Sequence, residues 1–548
     1  MTAGTVTPYR SAEPAGRDGF AQLLRAEWIK FRSVRGWVIG MVVAALLMLA
    51  VGLLGVQGTI TCASGPHAPV RHGAACVTPI PVGPGGEPVT DNFYFVRQPL
   101  TGNGSITARV TSLTGLQHSA ASTEPNTSSS QDILRAVQPW SKAGIIIKQG
   151  TRQGSAYAAM MVTGGNGVRM QYDYTQDAAG LAGRVSAAHP RWLRLTRSGD
   201  TITGYDSADG TRWTKVGSAR LSGLPRGVQV GLFATSPTHV YESSSFGNGN
   251  YNGVPTMATG VFDRVSVSGQ EGGAWTGDAV GGRQGLEPPG GRSQGLVPKG
   301  GREGYQRAGG AFTVTGSGDI APVTGGPGSG AGPSGTIEQH LVGAFAGLIA
   351  VVVIATMFIT AEYRRGLIRV TLAASPRRGR VLAAKAVVIG LVTFIVGLVA
   401  AVIAVLVGNH LSRNQGVYVF SVSWLTEARV VAGTAAVLAV GAVLALAVGT
   451  ILRRSAAAIT AVIVGVVLTY ILAMASLVPL PVAEWLLRVT PAAGFAIQQS
   501  LPKWPQVSGV YGLPDYYPLA PWAGFAVLCG YAVLAMGAAV FLLRRRDA

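Results

Sequence analysis

The chain has 548 residues, of which 48% are apolar and only 13% charged, and it carries a formal net charge of +19. That charge density is low for a soluble protein, and the length leaves room for several domains. The basic excess would suit nucleic acid, but much of it sits in short pieces between apolar runs, where membrane topology accounts for it, so no nucleic-acid partner is expected.

Residues 1–19 are polar and punctuated by Gly and Pro, the composition of a disordered tail. Residues 20–35 read FAQLLRAEWIKFRSVR. Helical spacing puts Phe20, Leu23, Leu24, Trp28 and Phe31 on one face, and Arg25, Lys30, Arg32 and Arg35 fill the rest. This predicts an interfacial helix with an aromatic anchor, in which Trp28, Lys30 and Phe31 are the candidate interfacial residues. The apolar run 37–56 is about 20 residues long, enough to span a bilayer. No small-residue cleavage site follows it at the right distance. An uncleaved first span (37–57) is expected, with the N-terminal segment 1–36 inside.

Residues 58–340 are then extracytoplasmic. Cys62 and Cys76 flank a short loop rich in Gly, Pro and His. On an oxidising side they would form a disulfide contributing roughly 3 kcal/mol; otherwise they are two free thiols. Residues 91–267 hold short alternating segments, among them Ile106, Ala108 and Val110, then Val228, Val230 and Leu232. Turn signals such as 101–104 (TGNG) and 208–210 (ADG) separate them. This pattern predicts an antiparallel sandwich. Residues 269–311 contain GGR three times and are expected to be a flexible Gly-rich linker. The strand-like FTVTGSGDI at 312–320 follows it, and a loose segment and a returning strand are both open. An inserted domain favours the second, because its two ends must return to the membrane together.

The remainder, 341–548, is membrane. Apolar runs at about 341–361, 386–408, 430–452, 456–479 and 522–543 bring the total to six spans. Basic clusters at 25–35, 364–385, 453–454 and 544–546 then share one side, which basic residues hold in the cytoplasm, and both termini lie there. The loop 480–521 is aromatic and Pro-rich, and its start, EWLLRVTPAAGFAIQQ, is expected in the outer interface. The richest cluster is the loop 362–385, within TAEYRRGLIRVTLAASPRRGRVLAAK, with seven basic residues against Glu362. Leu367, Ile368, Val370, Thr371 and Leu372 mix with Arg365 and Arg369 at helical spacing until Ser375-Pro376 breaks the run. A surface helix followed by a turn is expected, serving either as a topology anchor or as a docking surface.

Some chemistry is missing. No G-x-x-x-x-G-K-[ST] loop, no Cys/His cluster with metal spacing and no G-x-S-x-G elbow occurs. Hence no catalytic residue, metal or bound cofactor is assigned to this chain. The outer acids Asp200, Asp206 and Asp209 fall at expected hairpin turns, where Asp is ordinary. Trp140, Trp192, Tyr205 and Trp213 are candidate glycan contacts, and equally good core residues.

The segment formed by Glu362, Tyr363, Arg364, Arg365 and Gly366, followed by Ser375, Pro376, Arg377 and Arg378, resembles the first cytoplasmic loop of type-2 ABC exporter permeases. That resemblance implies that these residues sit against a cytoplasmic ABC ATPase, that ATP-Mg is bound on that separate subunit, and that this chain pairs as a homodimer or with a second permease. The segments PLTGNGSITARVTSL, PWSKAGIIIK, SAYAAMMVTGGNGVRMQYD and RWLRLTRSGDTITGYDSADGTRWTKVG resemble concanavalin-like jelly-roll modules, in which the FTVTGSGDI strand usually comes first. The expected fold class is thus a membrane α-helical bundle of six transmembrane helices. An all-β jelly-roll sandwich ectodomain is inserted between the first and second spans. Few charges lie in the spans, so a hydrophobic or amphipathic substrate is expected. The rival is a membrane-anchored carbohydrate-binding or cell-surface sensing protein; a third reading makes the outer module a mere stabiliser.

Overall fold

The computed structural model describes residues 19–54, 61–62, 71–72, 80–118, 133–245, 248–269, 273–282, 302–323, 334–367, 377–415, 417–474, 478–502, 504–507 and 517–545. Among them six helices are long and apolar enough to cross a bilayer. A short helix, α1 (Phe20–Ser33), leads straight into the first span, α2 (Arg35–Leu54). The others are α3 (Ala344–Arg364), α4 (Arg378–Asn414), α5 (Trp424–Leu452), α6 (Ser455–Met474) and, after the short α7 (Leu480–Val489), α8 (Pro521–Arg545). At 37 residues α4 is about 55 Å long, well beyond an apolar layer of about 30 Å, so its ends project.

Small residues set the helix contacts. A Cβ on Gly343 would stand 1.8 Å from the Met48 carbonyl oxygen, so backbone meets backbone where α2 passes the start of the second span. The turn between α5 and α6 is two residues long. Arg453 makes it by taking φ 55°, with its N–H on the Gly449 carbonyl at 3.0 Å.

Between α2 and α3 lie two facing antiparallel sheets. One runs in the strand order 176–179, 168–172, 157–163, 142–148, 227–235, 93–101, 276–280. The other runs 214–220, 201–207, 191–198, 104–118, 256–268, 311–316, 304–308, with 133–135 beside 104–118. Alternating side chains such as Ile106, Ile145, Leu193, Leu195, Val230, Leu232 and Phe262 form the core between them.

The strand Lys142–Lys148 is buried on both faces. Its second face belongs to a smaller core, where Phe93, Phe95, Ile146, Met161 and Phe233 are closed over by Val89, Tyr174 and Ile320. Val89 and Ile320 lie where the chain enters and leaves the domain, and Tyr174 in the turn before 176–179. Val89–Asp91 pairs antiparallel with Ile320–Pro322, giving a two-stranded neck. Lys148 and Lys142, at the two ends of one strand, clamp it. Lys148 Nζ donates to Asp91 Oδ2 at 2.8 Å and to the Ser155 carbonyl at 3.0 Å. Lys142 Nζ donates to Asp319 Oδ1 at 2.5 Å and to the Ile320 carbonyl at 2.7 Å. Tyr174 Oη adds a 2.7 Å bond to Asp91.

The neck continues into the membrane part. Ile80 and Val323 pack against Phe420 in the α4–α5 loop, with Leu501 beside them. Ser334–Gly335 pairs in parallel with Tyr418–Val419. Gln506 Nε2 donates to the Tyr174 carbonyl at 3.1 Å.

Two expectations are corrected, and one left open is decided for the returning strand. The stretch 269–311 is not all linker: Thr276–Val280 pairs with 93–101, and Gly304–Ala308 pairs with Ala311–Gly316. Their sequences, TGDAV and GYQRA, carry little apolar signal because both are edge strands with solvent on one side. The sandwich therefore extends beyond 91–267. The segment containing 312–316 is a ladder strand between 256–268 and 304–308, and Ile320 belongs to the neck. Finally, the 480–498 segment is only half interfacial. Trp485 is exposed on α7, but the 3-10 helix Pro491–Gln498 that follows is buried from Ala492 to Gln498 against α5 and α8. Its small residues permit that depth: a Cβ on Gly494 would meet the Leu528 side chain at 2.6 Å.

Candidate coupling site

All four basic clusters meet at one end of the bundle. The core of that end is ionic. Lys385, two turns into the projecting base of α4, donates Nζ to Glu27 Oε2 at 2.7 Å and to Glu362 Oε1 at 2.6 Å. Lys30 approaches the same two acids, Glu27 at 2.9 Å and Glu362 at 3.4 Å. Two lysines and two glutamates thus alternate with no net charge. Lys385 is 0% exposed, Glu27 2% and Glu362 9%. Burying any one of them alone would cost several kcal/mol, so each requires the others. Burial acts to lower the Lys30 pKa. The hydrogen bond and charge of Glu27, backed by Glu362, outweigh it, so the ammonium titrates above its ordinary value.

Aromatic rings floor the node. Phe358 meets Phe31 at 6.1 Å and Trp37 at 5.9 Å edge-on, and Lys385 Nζ lies 5.0 Å from its centroid. Nearby, the Arg453 guanidinium sits 5.2 Å from the Tyr363 ring, and Arg378 donates to the Leu543 carbonyl at 2.5 Å. Every helix base except that of α7 is thus tied, directly or through a neighbour, to the segment around residue 362. Beside the node a groove of about 460 Å³ runs between α1–α2 and the end of α3, with Trp37, Met357 and Phe358 inside and Arg364 and Arg365 on its rim.

The structure places the expected coupling residues unequally. Glu362 is buried in the node and Tyr363 is half-buried. Arg364, Arg365, Gly366 and Arg377 are exposed, and Arg378 is half-buried. Gly366 ends the helix at φ 66°, a conformation that favours glycine. Ser375, Pro376 and the expected surface helix lie outside the described residues. On α1 the buried stripe is Leu24, Glu27 and Phe31, not the aromatic face alone; Trp28 is 45% exposed. Glu27 was missed because a lone acid among four basic residues looks like surface charge. Its only sequence signal is its position between Leu24 and Phe31 on the apolar stripe.

The outer candidates separate as well. Trp140 is buried, at 8% exposure, with Arg169 over its ring, because the turn before Lys142 folds inward. Trp192, Tyr205 and Trp213 are half-buried together at the outer face of the eight-stranded sheet. Arg109 and Arg264 lie 5.8 and 5.9 Å from the Trp192 ring, and Arg194 lies 3.9 Å from Trp213, so guanidinium groups occupy ring faces that a sugar would need. Asp206 is not at a turn tip; it is buried in a strand and accepts from the Leu181 N–H at 2.6 Å. Cys76 and the side chain of Cys62 lie outside the described residues.

A model of the family described as ABC-2 family transporter protein matches residues 25–548. The chain belongs to the ABC-2 transporter family. It is an ABC transporter permease, a multi-pass membrane subunit, and the six apolar helices fit that assignment. No curated protein matches this permease. Among solved structures, scytalido-glutamic peptidase with a transition state analog inhibitor is 12% identical, covering 42% of this chain and 98% of that one at a TM-score of 0.24. A functionally unknown protein from Saccharomyces cerevisiae is 13% identical, covering 39% and 88% at 0.19. Likenesses this weak carry no weight for the fold or chemistry of the permease.

Proposed function

We propose that this permease is one membrane half of an ATP-driven exporter, with its termini and the 362–385 loop in the cytoplasm and its sandwich, a concanavalin-like module, outside. ATP-Mg is held and hydrolysed by a separate ABC ATPase subunit docked on Arg364, Arg365 and Arg377, and a second copy of the chain completes the path. The observation that carries this reading is the buried Glu27–Lys385–Glu362 node. Helices α1, α3 and α4 share it, so a push on the loop between α3 and α4 tilts all three together. The near absence of charge in the spans favours a hydrophobic or amphipathic cargo. An oxidising exterior would also let Cys62 and Cys76 form their disulfide.

Affinity purification with mass spectrometry tests this. A soluble ATPase should copurify, and reversing the charges of Arg364, Arg365 and Arg377 should release it. If no ATPase comes down with the intact chain, the reading is wrong. Carbohydrate binding by the outer domain is the second reading, favoured by a groove of about 760 Å³ on its eight-stranded sheet, lined by threonines and arginines.

A further inference from the structure

The neck closes the middle of the second face of the seven-stranded sheet, over Phe93, Ile146, Met161 and Phe233. Among the described residues no second layer packs on the outer face of the eight-stranded sheet, on the side of the sandwich away from the neck and from Gln506. A groove of about 760 Å³ crosses it, a size typical of ligand clefts.

The chemistry of this groove is mixed in a particular way. Its floor is a row of hydroxyls on three adjacent strands: Thr114 and Thr315 each lie opposite Thr259, and the Thr259 and Thr315 oxygens are 2.9 Å apart. Thr313 extends the row, two residues along the same strand face. Leu116, two residues from Thr114 on the same strand face, supplies apolar wall beside the hydroxyls. The rim carries Arg135, Arg184 and Arg302 against Glu303, the one carboxylate among the described lining residues.

We propose that the groove binds an acidic polysaccharide, a chain of sugar rings bearing carboxylates. Sugar hydroxyls match the threonine row, the C–H faces of the rings match the apolar wall, and carboxylates match guanidinium forks, which bind them bidentately. A neutral glycan would not need the arginines, and a bare polyanion would need neither the hydroxyls nor the apolar wall. The site is separate from Trp192, Tyr205 and Trp213.

This inference rests on the sandwich standing outside the cell. Groove substitutions should leave the copurifying ATPase in place, so the two proposals fail separately. The test uses the full-length protein in nanodiscs, with oligogalacturonate, dextran and inorganic polyphosphate as probes in titration calorimetry. Oligogalacturonate should bind, and dextran should not. The double substitution R135A/R184A should weaken binding about tenfold or more, and T259V/T313V should weaken it several-fold, with thermal melting unchanged in both. Trp213→Ala should bind as the parent does. Absence of oligogalacturonate binding overturns the proposal. So does equal binding by the arginine variant, or polyphosphate binding that matches oligogalacturonate and survives T259V/T313V.

Discussion

Buried lysines hold this molecule together at two places, and they do so differently. In the neck, Lys142 and Lys148 each bond an aspartate and a backbone carbonyl, and both stand on one strand buried on both faces. At the base of the bundle, Lys385 bonds only side chains, contributed by two other helices. The Ile320 carbonyl and the Asp91 carboxylate belong to the two paired neck strands and cannot move apart without breaking that ladder. Carboxylates on separate helices can shift with their helices and exchange partners between Lys30 and Lys385. The neck is built to seat the outer domain on the α4–α5 loop and the segment before α8, and the node is built to let helix bases move without separating.

The comparison breaks most visibly at the neck. Lys148→Met leaves Asp91 buried without its cation and should cost about 3–5 kcal/mol, read as a large fall in ectodomain melting temperature. Pairing it with Asp91→Leu should recover much of that loss, since an apolar pair needs no compensation. A D91L/K148M protein as unstable as K148M would show that the ion pair is not the clamp. Lys385→Met should cost about 3 kcal/mol or more in the membrane domain. The E27Q/E362Q/K385M protein should be the more stable of the two, because the one charge then left without a partner, Lys30, reaches solvent.

Steric contact gives a smaller, local effect. Gly343→Ala sets a methyl against the Met48 carbonyl and should lower membrane-domain stability by about 1–3 kcal/mol, without changing ectodomain melting. If both regions lose stability together, the neck transmits more than this account allows.

The smallest effect is pH-dependent. Burial, opposed by a hydrogen bond from the Tyr157 N–H, raises the Asp173 pKa to about 6. The folded state therefore holds this proton more tightly than the unfolded chain does. The penalty is fully present above pH 6 and relieved as pH falls toward 4. Asp173 has φ 43°, which Asn tolerates. Asp173→Asn should stabilise the ectodomain at pH 7 by about 1 kcal/mol, discounted for its partial exposure, and should change nothing near pH 4. A stabilisation equal at both pH values would remove titration as the cause.

The spans were legible because a run of apolar residues has one physical use at that length, and the central strands because alternation survives burial on one face. The edge strands at 276–280 and 304–308 were not, since an edge strand can be Gly-, Asp- and Arg-rich and still pair. The node was half legible. Glu362 and Lys30 stood out by local pattern, but Lys385 looked like one more topology charge. Glu27 is 358 residues from Lys385, a contact that no local window reports.

The central claim is that the node transmits ATP-driven motion and does not merely dock the ATPase. Substrate-stimulated ATP turnover by the copurified complex tests it, comparing the parent with E27Q/E362Q/K385M. The account predicts that the ATPase still copurifies while stimulated turnover falls about tenfold or more, a loss of roughly 1.4 kcal/mol of coupling or above. Undiminished stimulated turnover in a complex lacking all three charges would contradict it.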